Sequence, residues 1–326
     1  MAVKAALIPP KKRYLNMKNK IVSLVFFALF VLKAQAQQDP HYTQYMYNMN
    51  VMNPAYAGSK DNLSLGLLYR QQWVGVDGAP QTGTLSIHSP VGKNVGLGLS
   101  VISDKIGPVE ENNIYGDFSY TLNLGGEKRL AFGLKSGLTF HKVGLFSEIG
   151  NGYVPQQDDL AFKQNTSNTY FNIGMGLFYY TKKYYIAASV PNMLATKHLV
   201  IKDSGNEFQF GSDKQHFFIT SGYVFQMSEN IKFKPSFMAK STFNTPISVD
   251  VSANTLFFEK LETGVSYRLQ DSFGAMVNFA ITPNLKIGYA YDYNISKLIT
   301  TNSSHEFMLL FDLNRMKKVS ISPRFF

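Results

Sequence analysis

The 326-residue chain contains no cysteine, which excludes a disulfide scaffold, a thiolate zinc site, an iron–sulfur cluster and a cysteine nucleophile. Charge is also scarce, with Asp, Glu, Lys and Arg at 17% against roughly 25% in ordinary soluble domains. Long apolar runs are missing too: the one stretch, Ile21–Leu32, is too short to cross a bilayer comfortably, so a multi-span helical protein is excluded. The six histidines, His41, His88, His141, His198, His216 and His305, show no HxxxH or HExxH spacing for a metal. No nucleophile elbow, phosphate loop or EF-hand spacing occurs. The adjacent Asp158 and Asp159 fall short of the roughly six to eight oxygens that calcium takes. The expectation is therefore a protein with no catalytic residue, no metal ligand set and no cofactor.

What is present begins with an address. Lys18 and Lys20 precede Ile21–Leu32, and Ala34-Gln35-Ala36 follows it, the order of a secretory signal peptide. Cleavage after Ala36 gives a mature chain starting at Gln37. Met17 offers an alternative start, with residues 1–16 then an extension ahead of it. Residues 1–36 carry seven Lys and Arg and no acid, so of the formal charge of +10 only +3 stays on the mature chain. A nucleic-acid partner would need a basic stripe with interleaved aromatics, and none remains.

From Leu63 to Asp312 the dominant pattern is alternation in segments of about ten residues, the mark of strands. In 130–141 one parity reads Leu130, Phe132, Leu134, Ser136, Leu138, Phe140, and the other Ala131, Gly133, Lys135, Gly137, Thr139, His141. In 231–243, Ile231, Phe233 and Phe237 oppose Lys232, Lys234, Ser236, Lys240 and Thr242. A period of two puts these sets on opposite faces of a sheet. Strand lengths near the nine to eleven residues of a membrane strand, aromatics crowded at strand ends (Tyr69, Trp73, Tyr179, Tyr184, Phe257, Phe258) and export together predict an all-β, transmembrane antiparallel β-barrel. Its apolar parity faces lipid and its polar parity the lumen.

The pattern predicts about 14 strands, from Leu63–Gln72 to His305–Asp312. Links after even strands are short (Val91–Asn94, Gly125–Lys128, Thr181–Lys183, Met227–Asn230, Phe258–Lys260, Thr282–Asn284). Several after odd strands are long (Trp73–Gln81, Val143–Thr169, Asn192–Gln215, Ile295–Ser304), although Phe243–Pro246 and Leu269–Gln270 are short. Short periplasmic turns and longer outer loops place both termini in the periplasm. The expected division is a signal peptide (1–36), an N-terminal motif segment at the periplasm or plugging the lumen (37–62), a barrel (63–313) and a basic periplasmic tail (314–326).

Two segments exceed what a barrel needs. Residues 37–62, QQDPHYTQYMYNMNVMNPAYAGSKDN, are too aromatic for a disordered leader, and a barrel of fourteen strands has room for a plug. The stretch Tyr69–Thr82 holds the only tryptophan beside a Gly/Pro turn, with Arg70 on the lumen parity.

These pieces carry a resemblance. Asp39-Pro40 with Tyr42-Thr43-Gln44-Tyr45-Met46, then Asn53-Pro54-Ala55-Tyr56-Ala57-Gly58, then Arg70-Gln71-Gln72-Trp73 with Gly75 and Gly78-Ala79-Pro80 are similar to the PorP/SprF family of type IX secretion outer-membrane proteins. The closing Ile321–Phe326 resembles the family's end. The resemblance implies a non-enzymatic accessory role in the outer membrane of a Gram-negative cell. It would assist secretion or surface anchoring of cargo, such as gliding adhesins, bearing a C-terminal sorting domain. Implied partners are outer-membrane lipid, that cargo, and periplasmic and outer-membrane components of the secretion and gliding machinery. The implied partner- or cargo-binding residues are Asp39, Pro40, Tyr45, Asn53, Pro54, Tyr56, Gly58, Arg70, Gln72, Trp73, Gly78, Ala79 and Pro80. The alternative is a porin-like diffusion channel, which Lys135, Lys232, Lys234, Lys240 and Lys286 on the lumen parity would make anion-selective if open.

Overall fold

The computed structural model describes residues 41–144, 166–194, 197–203, 206–212, 215–242, 246–296 and 303–313. The signal peptide, Asp39, Pro40, Asp158, Asp159 and the tail 314–326 lie outside them. The strands are β1 (Leu63–Gln71), β2 (Gln81–Pro90), β3 (Val95–Ile106), β4 (Val109–Asn123), β5 (Arg129–Val143), β6 (Thr166–Tyr180), β7 (Tyr184–Val190), β8 (Lys197–Asp203), β9 (Asn206–Ser212), β10 (His216–Tyr223), β11 (Phe225–Ser228), β12 (Ile231–Thr242), β13 (Ser248–Phe257), β14 (Leu261–Arg268), β15 (Ser272–Thr282), β16 (Leu285–Asn294) and β17 (Ser303–Leu313).

Each wall strand pairs antiparallel with its neighbours, and β1 joins β17 from Leu63↔Leu313 to Gln71↔His305. Pairing of β10 with β12 removes the last edge. Both β10 and β11 pair with β12 on either side of Val224, so they form one traverse and the closed barrel has 14. Closure is required in hydrocarbon, where an unpaired strand edge costs several kcal/mol per backbone group.

The alternation reads inside out relative to a soluble barrel. Along β5, Phe132, Leu134, Leu138 and Phe140 are exposed while Ala131, Lys135, Thr139 and His141 are buried. In β12 every even position from Lys232 to Thr242 is buried. Greasy side chains therefore face lipid, and buried polar ones face the interior.

Several expected boundaries need correction. The alternation predicts strands over Val95–Asp104 and Asn112–Leu124, but the link between them shrinks to residues 107–108, because β3 and β4 stay paired out to Ile106↔Val109; Glu110 and Glu111 continue the ladder despite their charge. The expected loop 192–215 contains a hairpin of its own, β8 with β9, and where the alternation predicts one strand over His216–Gln226, the strand is split at Val224.

Candidate functional site

Residues 41–57 enter the barrel as a chain of single turns: a 3₁₀ turn at Tyr45–Tyr47, one α-helical turn at Met49–Met52 and a 3₁₀ turn at Pro54–Tyr56. Pro54 presets the backbone of the last turn, and the Asn53 side chain accepts from the Ala55 amide at 2.9 Å. Turns this short are not stable alone. The wall holds them, and all of 41–57 except Tyr47 is buried.

The segment runs along the lumen. At its start, the Thr43 and Gln44 amides donate to the Glu306 carboxylate at 2.9 and 2.8 Å. The Thr43 hydroxyl donates to Asp292. Arg70 on β1 closes the cluster, bonded to Thr43 Oγ1 at 3.0 Å and paired with Asp292 at 2.7 Å and Glu306 at 3.1 Å. Asp292 and Glu306 stand near the loop-side ends of β16 and β17. One cation between two buried carboxylates is stable only as a set, since removing a partner strands a charge away from water.

Further anchors follow down the segment. Tyr47 donates its hydroxyl to Glu262, with the ammonium groups of Lys234 and Lys286 5.0 and 5.1 Å from its ring centroid, within cation–π range. Asn50 donates to Asp117 at 3.1 Å, and Asp117 pairs with Lys135 at 2.6 Å. Asn53 donates to the Leu177 carbonyl at 3.0 Å. Tyr56 meets Phe178 and His88 edge-on, each at 5.3 Å between ring centroids. The Ala57 carbonyl accepts from Ser119 at 2.6 Å, and the Gly58 amide donates to His88 Nδ1 at 3.3 Å, close to the turn-side end of β2.

Between the polar anchors lies an apolar core. Tyr42, Tyr45, Met46, Met49, Met52, Ala55 and Tyr56 pack with the lumen-facing Leu68, Phe178, Tyr180, Tyr185, Phe218, Met238 and Leu256. The wall leaves room for the backbone by omitting side chains: a Cβ at Gly133 would collide with the Ala55 backbone nitrogen, and one at Gly96 with the Ala57 carbonyl.

The second element is the corner between β1 and β2. Trp73 adopts a left-handed backbone, φ 47°, a conformation that is uncommon for a large side chain. Three bonds hold it: the Trp73 amide to Ser304 Oγ at 3.3 Å, the Val74 amide to the Ser303 carbonyl at 3.0 Å and the Gln72 amide to the Pro80 carbonyl at 2.9 Å. With the Asn294 amide turned to offer its oxygen, Trp73 Nε1 donates to it at 2.9 Å. The corner is thus strapped to the loop-side ends of β16 and β17, beside the Arg70 cluster.

The structure divides the residues singled out from sequence into two groups. Tyr45, Asn53, Pro54, Tyr56 and Arg70 are buried inside the lumen, with Gly58 at its turn-side end. Gln72, Trp73, Gly78, Ala79 and Pro80 form the corner, of which Gly78 is exposed and Pro80 buried. Sequence reasoning missed Asp117, Glu262, Asp292 and Glu306, the acids that receive the segment. Their signal was a carboxylate on the lumen parity of a strand. Three of the five lysines singled out on that parity are matched by acids: Lys135 pairs with Asp117, Lys232 with Glu259, and Lys286 with Glu262 at 3.5 Å.

Among known proteins, the family model described as "Type IX secretion system membrane protein PorP/SprF" matches residues 34–311. No curated protein matches the sequence. Solved structures of similar fold include a TodX deltaS2S3 mutant monoaromatic hydrocarbon channel, with a TM-score of 0.50, 13% identity, 82% of this chain and 94% of that one covered. The outer membrane protein Omp33 of Acinetobacter baumannii matches with a TM-score of 0.47 and 11% identity, over 78% of this chain and all of its own. At such identities the likeness concerns the barrel fold alone.

Proposed function

The chain belongs to the PorP/SprF family of type IX secretion system membrane proteins, a family of barrels and not of enzymes, and from that premise we propose what it does in the outer membrane. It acts as an accessory barrel that assists secretion, surface anchoring, or both, of cargo bearing a C-terminal sorting domain, gliding adhesins among them. Family membership implies association with other components of the secretion system. Gln72, Trp73, Gly78, Ala79 and Pro80 are the proposed cargo-facing residues. Tyr45, Asn53, Pro54, Tyr56, Gly58 and Arg70 support them from within, and Asp39 and Pro40, outside the described residues, are proposed to bind partner or cargo on the strength of the family motif.

One observation carries this reading: the lumen holds the chain's own residues 41–57, fixed at both ends. A lumen so occupied favours the rim as the place where cargo is met. The same observation weakens the diffusion-channel alternative, whose lysine lining is largely matched by acids.

Deleting the gene tests the proposal. Particular proteins with C-terminal sorting domains are expected to stay unsecreted or be shed into the medium, with total outer-membrane protein unchanged. Normal display of all such cargo would overturn it.

A further inference from the structure

At the turn-side rim, the β4–β5 turn (Leu124–Lys128) and the β6–β7 turn (Thr181–Lys183) enclose a cleft of about 580 Å³, floored by Tyr184 and Tyr223. The two rings lie parallel, 6° between planes and 6.2 Å between centroids, and the Tyr179 hydroxyl touches that of Tyr184 at 3.2 Å. Lys128 and Lys183 line the cleft and are exposed. Among the described residues no carboxylate pairs with either, because Glu127 is taken by Lys182 at 2.5 Å. The two turns therefore leave two positive charges in excess at one place. Below them the outward face is apolar, with Leu177, Ile186 and Phe225 exposed.

A concave site with an aromatic floor, unmatched lysines above and a greasy wall beneath has the order of a membrane interface: cation at headgroup depth, tyrosine at the boundary, aliphatic surface at acyl depth. We propose that this cleft binds the phosphate headgroup of an anionic glycerophospholipid in the periplasmic leaflet, Lys128 and Lys183 meeting the phosphate and the Tyr184–Tyr223 pair packing on the glycerol and upper acyl chain. The short turns place it on the periplasmic side. Free inorganic phosphate offers the same oxygens but no chain for the wall, so the lipid is the occupant argued here.

Native mass spectrometry of the full mature protein, released from nanodiscs containing equal phosphatidylglycerol and phosphatidylcholine, tests this. The wild type should retain phosphatidylglycerol preferentially. In Lys128→Gln/Lys183→Gln that preference should fall by roughly thirtyfold, the scale expected for two near-surface lysines at about 1 kcal/mol each. Lys93→Gln/Lys260→Gln, at two other turns, should leave it unchanged. Both pairs are exposed, and heat-modifiable gel migration verifies that each variant is folded. Equal retention of the two lipids by the wild type, an unchanged preference in Lys128→Gln/Lys183→Gln, an equal loss in both pairs, or complete displacement by inorganic phosphate would overturn the assignment.

Discussion

The interior works residue by residue through charges that have no water to fall back on. Arg70 stands between Asp292 and Glu306, and Glu306 also holds two amides of the seated segment. Arg70→Ala would leave both carboxylates buried and unpaired, a loss of about 3–5 kcal/mol by the behaviour of other buried pairs. Urea unfolding of the detergent-solubilised protein should show that drop, and limited proteolysis should cut the N-terminal segment faster. An unchanged midpoint would mean that the cluster is not a fastening. Gly133→Val is a second test on different physics. The added side chain enters space held by Ala55, so the segment should become protease-sensitive while the barrel stays folded, its outward ladder being untouched. Outside, Leu134 faces lipid near the middle of β5 and is 61% exposed. Leu134→Arg should cost about 2–4 kcal/mol, as expected at a bilayer midplane, measured by folding into vesicles across a urea series.

At the scale of elements, the strands were legible because a period of two is set by backbone geometry and survives any choice of side chains. The alternation in 130–141 reappears in the exposure of β5, with only Leu130 and Gly137 in between. Where ladder and composition disagree, the ladder prevails. Glu110 and Glu111 read as a loop, yet they pair with Lys142 and His141 across β5, where strands rising past the hydrocarbon can carry charge. The hairpin of β8 and β9 was missed because its strands are only seven residues long, too short for the alternation to stand out. The N-terminal segment was harder still. Its turns follow no period and draw their stability from partners more than 200 residues away, such as Glu306 and Glu262; only its tyrosines and methionines hinted at burial. Likewise the corner at Trp73 announced itself by composition, but the bonds that strap it to Ser303 and Ser304 come from the far end of the chain. Trp73→Ala, which removes a half-buried side chain and one hydrogen bond, should cost no more than about 1–2 kcal/mol of stability in urea unfolding and release cargo from the cell surface into the medium. Retained cargo would remove the corner from the proposed interface.

For the molecule as a whole, the polar interior and its occupant explain each other. Polar side chains in an empty barrel would face water and bind what diffuses through. Here they bind the chain's own N-terminal segment, through Glu306, Asp117 and Glu262. An occupied lumen fits the proposed accessory role better than it fits a diffusion pore. The most direct test is planar-bilayer conductance of the intact mature protein beside a variant lacking residues 41–58. The intact protein should be electrically silent and the shortened one should conduct in steady steps; steady conductance from the intact protein would contradict the account.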